Sequence, residues 1–317
     1  MKVLVTGVSG FIGGQLTRHL LDQGHDVRGA SRWLDSPFPR AERYDHVTVE
    51  DPSSPRAWKP AVSGVDAVVH LIAKTSPPEK DDAAEAEELR RVNVGLTKTL
   101  FEASWKAGVK RFVYMSCMNA VGEETAPGEV FAEDTPCNPT NPVGITKREA
   151  EEMILKYRGK MATAVLRAPM VYGPGVGGDF LRLVEEVSKR TPLPLSGVKN
   201  ARSLTFVGNL TAAVEKIIEG ESPSGIYHVS DGEKASTPEL IGLMASAMGT
   251  KARLFYAPPG LVGKIAGLSG WGETFRELTR SMVVSHKRLE KELGFKPPYS
   301  LKKGLELTFR KGKVIEH

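Results

Sequence analysis

The sequence predicts an α/β fold in which a doubly wound parallel sheet is joined to a smaller, partly interwoven C-terminal α/β domain. Three observations carry that expectation. Strand-like apolar runs alternate with amphipathic helical stretches through the first half of the 317 residues, the pattern of successive βαβ units. Several of those runs are continuously apolar, as strands covered on both faces must be. A glycine-rich turn, Gly7-Val8-Ser9-Gly10-Phe11-Ile12-Gly13, joins the first strand to the first helix.

Lys2–Thr6 reads as a short buried strand, and residues 15–22 continue as an amphipathic helix with Gly24 placed to stop it. Further strands are expected at 26–30, 47–50, 66–72, 111–116 and 163–167. The clearest helices are 82–107, ending at Gly108, and 146–157, ending near Gly159. After Arg167 the character changes. Pro169, Gly173, Pro174, Gly175, Gly177 and Gly178 make a loop-rich stretch. Residues 203–207 and 227–230 look like strands returning to the sheet, and the chain from Thr237 onward is mostly helical. The expected division is therefore 1–170, with 202–230 returning to it, against 171–201 and 231–317.

Strand, glycine turn and helix in succession form the context in which glycines signal a bound dinucleotide. Gly7 permits the tight turn, Gly10 lets backbone approach a pyrophosphate, and Gly13 lets the helix pack close to the strand. The helix N-terminus faces the phosphates. The spacing is G-x-x-G-x-x-G rather than G-x-G-x-x-G. A dinucleotide site of this type that chooses NAD usually carries a carboxylate after the second strand, to hold the ribose 2′-OH. Here that strand ends in Ser31-Arg32, with no carboxylate until Asp35. A hydroxyl followed by a guanidinium suits a 2′-phosphate, so NADP(H) is favoured over NAD(H).

Composition excludes several other classes. Hydrophobic residues make up 40% and charged residues 26%, an ordinary soluble balance, and no apolar run approaches the roughly 18 residues that span a bilayer. The chain opens directly into a strand, so no signal peptide is expected. Cys117 and Cys137 are the only cysteines, which excludes a disulfide framework and suits a reducing cytoplasm. The net charge of +5 is interleaved along most helices, without the concentrated basic stripe of a nucleic-acid binder. No metal site is expected.

Several separated segments resemble one family, the extended short-chain dehydrogenase/reductases that act on nucleotide sugars. The matching pieces are Thr6–Gly13, Val68-Val69-His70-Leu71-Ile72-Ala73, Val92-Asn93-Val94-Gly95-Leu96-Thr97 and Phe112-Val113-Tyr114-Met115-Ser116. Further on they are Leu166-Arg167-Ala168-Pro169-Met170-Val171-Tyr172-Gly173-Pro174-Gly175 and Arg202-Ser203-Leu204-Thr205-Phe206-Val207-Gly208-Asn209-Leu210. The resemblance runs in order through essentially the whole chain. It is nearest to the bacterial UDP-hexose 4-epimerase and 4-ketoreductase branch, to which Pro192-Leu193-Pro194-Leu195 and Val229-Ser230-Asp231-Gly232 are similar.

The resemblance implies roles residue by residue. Gly7, Gly10, Phe11, Ile12 and Gly13 would hold the pyrophosphate and Asp51 would reach the adenine. Ala73, Lys74 and Pro169 would line the cofactor path, and Asn93 would support the active-site backbone. Ser116 would hydrogen-bond the reacting oxygen. Lys147 would grip the nicotinamide ribose and lower the pKa of a catalytic tyrosine. Tyr172 would lie near the nicotinamide and Arg202 would neutralise the substrate diphosphate. A homodimer through helices 82–107 and 146–157 is implied as well.

The pattern breaks at its chemical centre. The family reads Tyr-x-x-x-Lys, whereas this chain reads Val143-Gly144-Ile145-Thr146-Lys147. Tyrosine and lysine four apart share one helix face, so the ammonium can stabilise a phenolate; valine neither donates nor accepts a proton. Ser116, a water, Tyr172 or Lys147 itself would have to replace the phenol. Asp179 stands where the family commonly places an asparagine that donates to the diphosphate, and it also reads as a helix N-cap. Cys117 reads first as a small buried hydrophobe, although it adjoins Ser116. The expected function is that of an NAD(P)-dependent epimerase or reductase acting on a nucleotide-sugar-like hydroxy or keto substrate. A cofactor-binding member that has lost catalysis, or an engineered tyrosine-to-valine change at Val143, are the alternatives.

Overall fold

The computed structural model describes residues 1–32, 38, 41–78, 82–157, 159, 161–221, 223–258 and 272–310. Seven strands make one sheet: β1 (Lys2–Thr6), β2 (Asp26–Ser31), β3 (Tyr44–Thr48), β4 (Ala67–His70), β5 (Arg111–Cys117), β6 (Ala162–Ala168) and β10 (Gly225–His228). Their order is β10-β6-β5-β4-β1-β2-β3, and every pairing is parallel. The order reverses between β1 and β4. In sheets of this kind ligands bind outside the carboxyl ends of the strands at that switch point.

Strand alternation builds the two cores. Val3 and Val5 of β1 face α1 (Phe11–Asp22) and α7 (Val207–Glu219), burying Leu16, Leu20, Leu210 and Ile217. Leu4, between them, points to the opposite face, where Phe112 and Tyr114 of β5 meet Leu100, Phe101 and Ile154. Those last residues come from α4 (Thr97–Lys106) and α5 (Pro142–Leu155). α4 continues a helix that begins as α3 (Ala83–Arg90) and passes through a wider π-helical turn, Arg91–Leu96. A third core gathers Tyr172, Phe180, Leu183, Phe206, Leu240, Ile241, Leu301 and Leu305 under the C-terminal region. No helix among the described residues is long and apolar enough to cross a membrane.

The returning segment behaves only partly as its sequence suggests. Residues 225–228 do join the sheet beside β6, and α7 packs on α1. The run at 203–207 does not. β8 (Arg202–Ser203) instead pairs antiparallel with β11 (Lys234–Ala235), and β9 (Thr205–Phe206) pairs with β7 (Val171–Tyr172). The diversion is local: Thr205 Oγ1 donates to the Val229 carbonyl and the Phe206 N–H to Asp231, after which Val207 starts the helix. From Thr237 onward the described chain is largely helical, in α8 (Thr237–Ala247), Gly272–Thr279, Lys287–Leu293 and Leu301–Thr308. Residues 259–271 and 311–317 of that stretch lie outside the described residues.

The glycine turn shows why these residue types are needed. Gly7 sits at φ +70°, and a Cβ on Gly13 would lie 2.1 Å from the Gly7 carbonyl oxygen. That neighbour is backbone and cannot rotate away. Gly13→Ala is therefore expected to lower stability by about 2–3 kcal/mol, the upper range for overpacking. Its affinity for a dinucleotide should fall about tenfold or more, since a 1.4 kcal/mol distortion of the turn suffices for that. Thermal unfolding and fluorescence titration read the two effects; wild-type values for both would refute the close-packing role.

Candidate active site

Two cavities open at the carboxyl edge of the sheet. The first, of about 460 Å³, lies at the switch point between β1 and β4 and is lined by Gly7, Ser9, Gly10, Ser31, Arg32, Trp58, Leu71, Ala73, Lys74, Glu88 and Arg91, among others. Gly10 caps α1 without a side-chain hydrogen bond, and no acidic residue stands in that helix's first turn. The first N–H groups of the helix and its dipole thus remain available to an anion.

Ser31 ends β2 with its hydroxyl 3.2 Å from His46 Nε2, and Arg32 follows on the cavity wall. Arg91 forks onto Glu88 at 2.6 and 2.8 Å, which holds that carboxyl below its ordinary range. Lys74 is fixed by Asn93, which accepts from its N–H at 2.8 Å and donates to its carbonyl at 3.0 Å. Asn93 is fully buried in the π-helical turn, a distortion that often marks functional helices. Asn93 thus holds the backbone of Lys74 on the cavity wall.

Four expected cofactor contacts lie off this cavity wall. Phe11 and Ile12 do not line this cavity; Phe11 packs into the core around Tyr172 and Ile12 against the sheet. Gly13 is packed against the Gly7 carbonyl, where a side chain would not fit. Asp51 turns onto its own loop, accepting from Ser53 N–H and Oγ at 3.0 and 2.5 Å, bonds that keep its carboxyl below the usual range. The wall there is made by Val49, Pro52 and Trp58 instead. Trp58, whose indole N–H donates to the Pro52 carbonyl at 2.8 Å, carried no signal in the sequence, because its place depends on the fold of a short irregular loop.

The second cavity, of about 360 Å³, shares one chain segment with the first: Leu71–Lys74 line the first, and Thr75 and Pro77 the second. Pro169 stands in this second cavity rather than along the first. Asn141 caps α5 by accepting from Gly144 N–H at 2.7 Å, and Pro142 supplies the preset first helical position. Gly144 lies so close to the neighbouring turn that a Cβ would meet the Asn119 carbonyl at 2.2 Å. Val143 is thereby held against the cavity beside Cys117, Met118 and Asn119. One helical turn on, Lys147 is buried, donates to the Met115 carbonyl at 2.8 Å and lies 4.8 Å over the Tyr114 ring. Burial lowers its pKa from the usual lysine value, against the opposing pull of Cys117 and Glu151.

Ser116 is not in this cavity. It shares the face of β5 that carries Phe112 and Tyr114, and its hydroxyl donates to Glu151 at 2.5 Å. Glu151 is fully buried against Arg167. The next residue, Cys117, ends the strand and lines the cavity with Val143. That Cys117 rather than Ser116 borders the cavity follows from the period of two along a strand. Burial raises the Cys117 thiol above its ordinary pKa, with the Lys147 charge pulling the other way, so the group is protonated near neutrality.

Tyr172 is likewise withdrawn. It is fully buried in the third core, its hydroxyl donating to Asp231 at 2.8 Å, and burial followed by the Asp231 charge pushes its pKa far up. It neither lines the cavity nor titrates near neutrality. Asp179 does line the cavity, as the second residue of α6 (Gly178–Ser188); Gly177 is the cap, so the N-cap reading of Asp179 does not hold. Arg202 is buried in the wall with Glu277 at 3.4 Å, and Arg280 faces Glu123 at 2.7 Å. Glu123, Glu277 and Arg280 were not legible in the sequence, since each is brought to Arg202 or Val143 by tertiary packing.

A family model described as the NAD dependent epimerase/dehydratase family matches residues 3–230. The chain is 28% identical to a UDP-glucose 4-epimerase of Vibrio cholerae, over 97% of this chain and 94% of that one. It is 31% identical to a 3-beta-hydroxysteroid dehydrogenase of Mycolicibacterium neoaurum, over 85% of this chain and 76% of that one. Among solved structures, the UDP-glucuronic acid 4-epimerase of Bacillus cereus, in complex with NAD, shares the fold with a TM-score of 0.78 at 21% identity, covering 98% of this chain and 95% of the other. With a parallel seven-stranded sheet, a glycine cradle at its switch point and a family match across most of its length, the chain belongs to the NAD dependent epimerase/dehydratase family of extended short-chain dehydrogenase/reductases.

Proposed function

We propose that the protein binds NADP(H) in the first cavity and performs hydride chemistry at a hydroxy or keto carbon of a nucleotide-sugar-like substrate in the second. The observation that carries this reading is that one segment, residues 71–77, lines first the one cavity and then the other. The first fits a dinucleotide: the N-terminus of α1 carries no side-chain cap and no acidic residue in its first turn, and Arg32, Lys74 and Arg91 outnumber Glu88 on its wall. A nicotinamide group bound there supplies or accepts the hydride. Gly7, Ser9 and Gly10 receive the pyrophosphate, and Ser31 and Arg32 the 2′-phosphate.

In the second cavity the proton comes from Cys117. When a carbonyl carbon gains hydride, its oxygen takes the thiol proton, and the thiolate left behind is favoured by the Lys147 ammonium. Solvent then returns the proton. A thiol on a strand end is a weaker arrangement than a phenol paired with lysine, so turnover is slow. Arg202 and Arg280 face a substrate diphosphate, each already beside a carboxylate.

A second reading, cofactor binding without turnover, is favoured by Val143 and by the engagement of Ser116 with Glu151. One experiment separates the two: NADPH and NADH titrations followed by turnover assays with UDP-hexoses and their 4-keto forms. The expected result is tighter NADPH binding, with Arg32→Ala reducing that preference by about 10–100-fold, the range of a charge-assisted contact. Measurable turnover supports the enzyme reading, whereas tight NADPH binding with no turnover supports the second. NADH preferred over NADPH would overturn the role given to Arg32.

A further inference from the structure

A cluster of nitrogen and oxygen ligands lies on the outer helices, away from both cavities. His25 follows α1, while Glu215 and Glu219 stand one turn apart on α7; one donor atom from each lies within 4.8 Å of the others. His25 is 6% exposed, and its Nε2 is buried without a hydrogen bond. Glu219 Oε1 approaches that nitrogen at 3.4 Å. Two ligands each about 2.0–2.2 Å from a tetrahedral ion are held about 3.3 Å apart, which this separation matches. Glu215 is oriented by His19, whose Nε2 lies 2.8 Å from its Oε2, as an outer histidine steadies a ligating carboxylate. Among the described residues neither glutamate pairs with a lysine or arginine.

We propose that His25, Glu215 and Glu219 form a binding site for a divalent first-row transition ion of the zinc class, with His19 as the positioning group. Imidazole with carboxylates suits such an ion better than calcium or magnesium, which take oxygen alone. The site joins the chain after α1 to the last turn of α7, so its role is to clamp two helices that cover one face of the sheet. Glu219, half-exposed, leaves the entry side open to solvent.

The test is titration of chelator-treated, full-length protein with Zn²⁺ alone, read by calorimetry and thermal unfolding. One ion should bind per chain, and Tm should rise by roughly 5 °C at a hundredfold excess over Kd. Glu219→Gln should lose about tenfold or more in affinity and most of the Tm rise, because one charged ligand is gone. Its NADPH affinity, measured on the same sample, should stay at the wild-type value and so show an intact fold. His25→Gln should behave in the same way. A Cys117→Ser/Cys137→Ser variant should retain the ion, which separates this site from thiol binding. Absence of heat and of a Tm rise in the wild type would overturn the proposal, as would an undiminished response in Glu219→Gln or its loss in the cysteine variant.

Discussion

Val143→Tyr is expected to raise turnover by about 10²–10⁴-fold, the usual contribution of a positioned general acid or base. Val143 lies one turn before Lys147 on α5, and both are buried. Residues four apart on a helix share a face, so a phenol at 143 would project into the cavity of about 360 Å³ beside Cys117. The Lys147 charge would favour its phenolate, as the ammonium favours any nearby anion. Since Val143 does not line the first cavity, NADPH affinity should change little, and the gain should appear in kcat. Cys117→Ala in the otherwise natural chain should lower turnover about a hundredfold, and the same change in the Val143→Tyr background should matter much less. Steady-state kinetics of the four proteins decide the matter. Equal rates for the natural chain and the Cys117→Ala variant would remove the thiol from the mechanism; no gain from tyrosine would show that the cavity does not present substrate to position 143.

The largest stability effect is expected from Arg167→Met. Arg167 and Glu151 are fully buried, joined by Nε to Oε1 at 2.9 Å and Nη2 to Oε2 at 2.6 Å. Ser116 adds a third donor, and Arg148 reaches the same carboxylate only at 3.5 Å. Removing the arginine leaves a buried anion with its main counter-charge gone, which costs about 3–5 kcal/mol. For a chain of this size that is a fall in Tm of roughly 5–8 °C, and a large part of the about 5–15 kcal/mol that stabilises a typical protein. The Glu151→Leu/Arg167→Met double variant should recover most of the loss, because apolar residues can replace a buried pair once both charges are removed. Calorimetric unfolding of the single and double variants tests this. A single variant as stable as the natural protein would show that the counter-charge is dispensable. A double variant no better than the single would show that the loss comes from packing around Arg167 rather than from the stranded carboxylate.

The same ion pair shows how a site can be misread from sequence. Ser116 stands in a segment that resembles the family's strand end, and a hydroxyl there reads as a substrate contact. In the fold it is a donor to a carboxylate from α5, 35 positions away. Cys117 looked like core filler and instead borders the cavity. Tyr172 looked like a spare phenol, yet Asp231, 59 positions away, holds it inside the third core.

What the sequence determined by itself is the part governed by short-range rules. Apolar runs and helical periods set most strands of the central sheet and helices α1, α4 and α5, because the two periods are written directly in residue order. The glycine turn is equally local: Gly7, Gly10 and Gly13 lie within seven residues, and the contact they must permit is between their own backbones. The pairing of Val143 with Lys147 was visible because the two lie one helical turn apart. Only the tertiary structure decided which side chains meet in the second cavity, where Arg202 finds Glu277 across 75 positions and Arg280 finds Glu123 across 157. It also decided that the 203–207 run leaves the sheet, and that His25 faces Glu219. Such pairings depend on how covered layers stack and which face of a strand turns inward. Spacing along the chain carries no record of them.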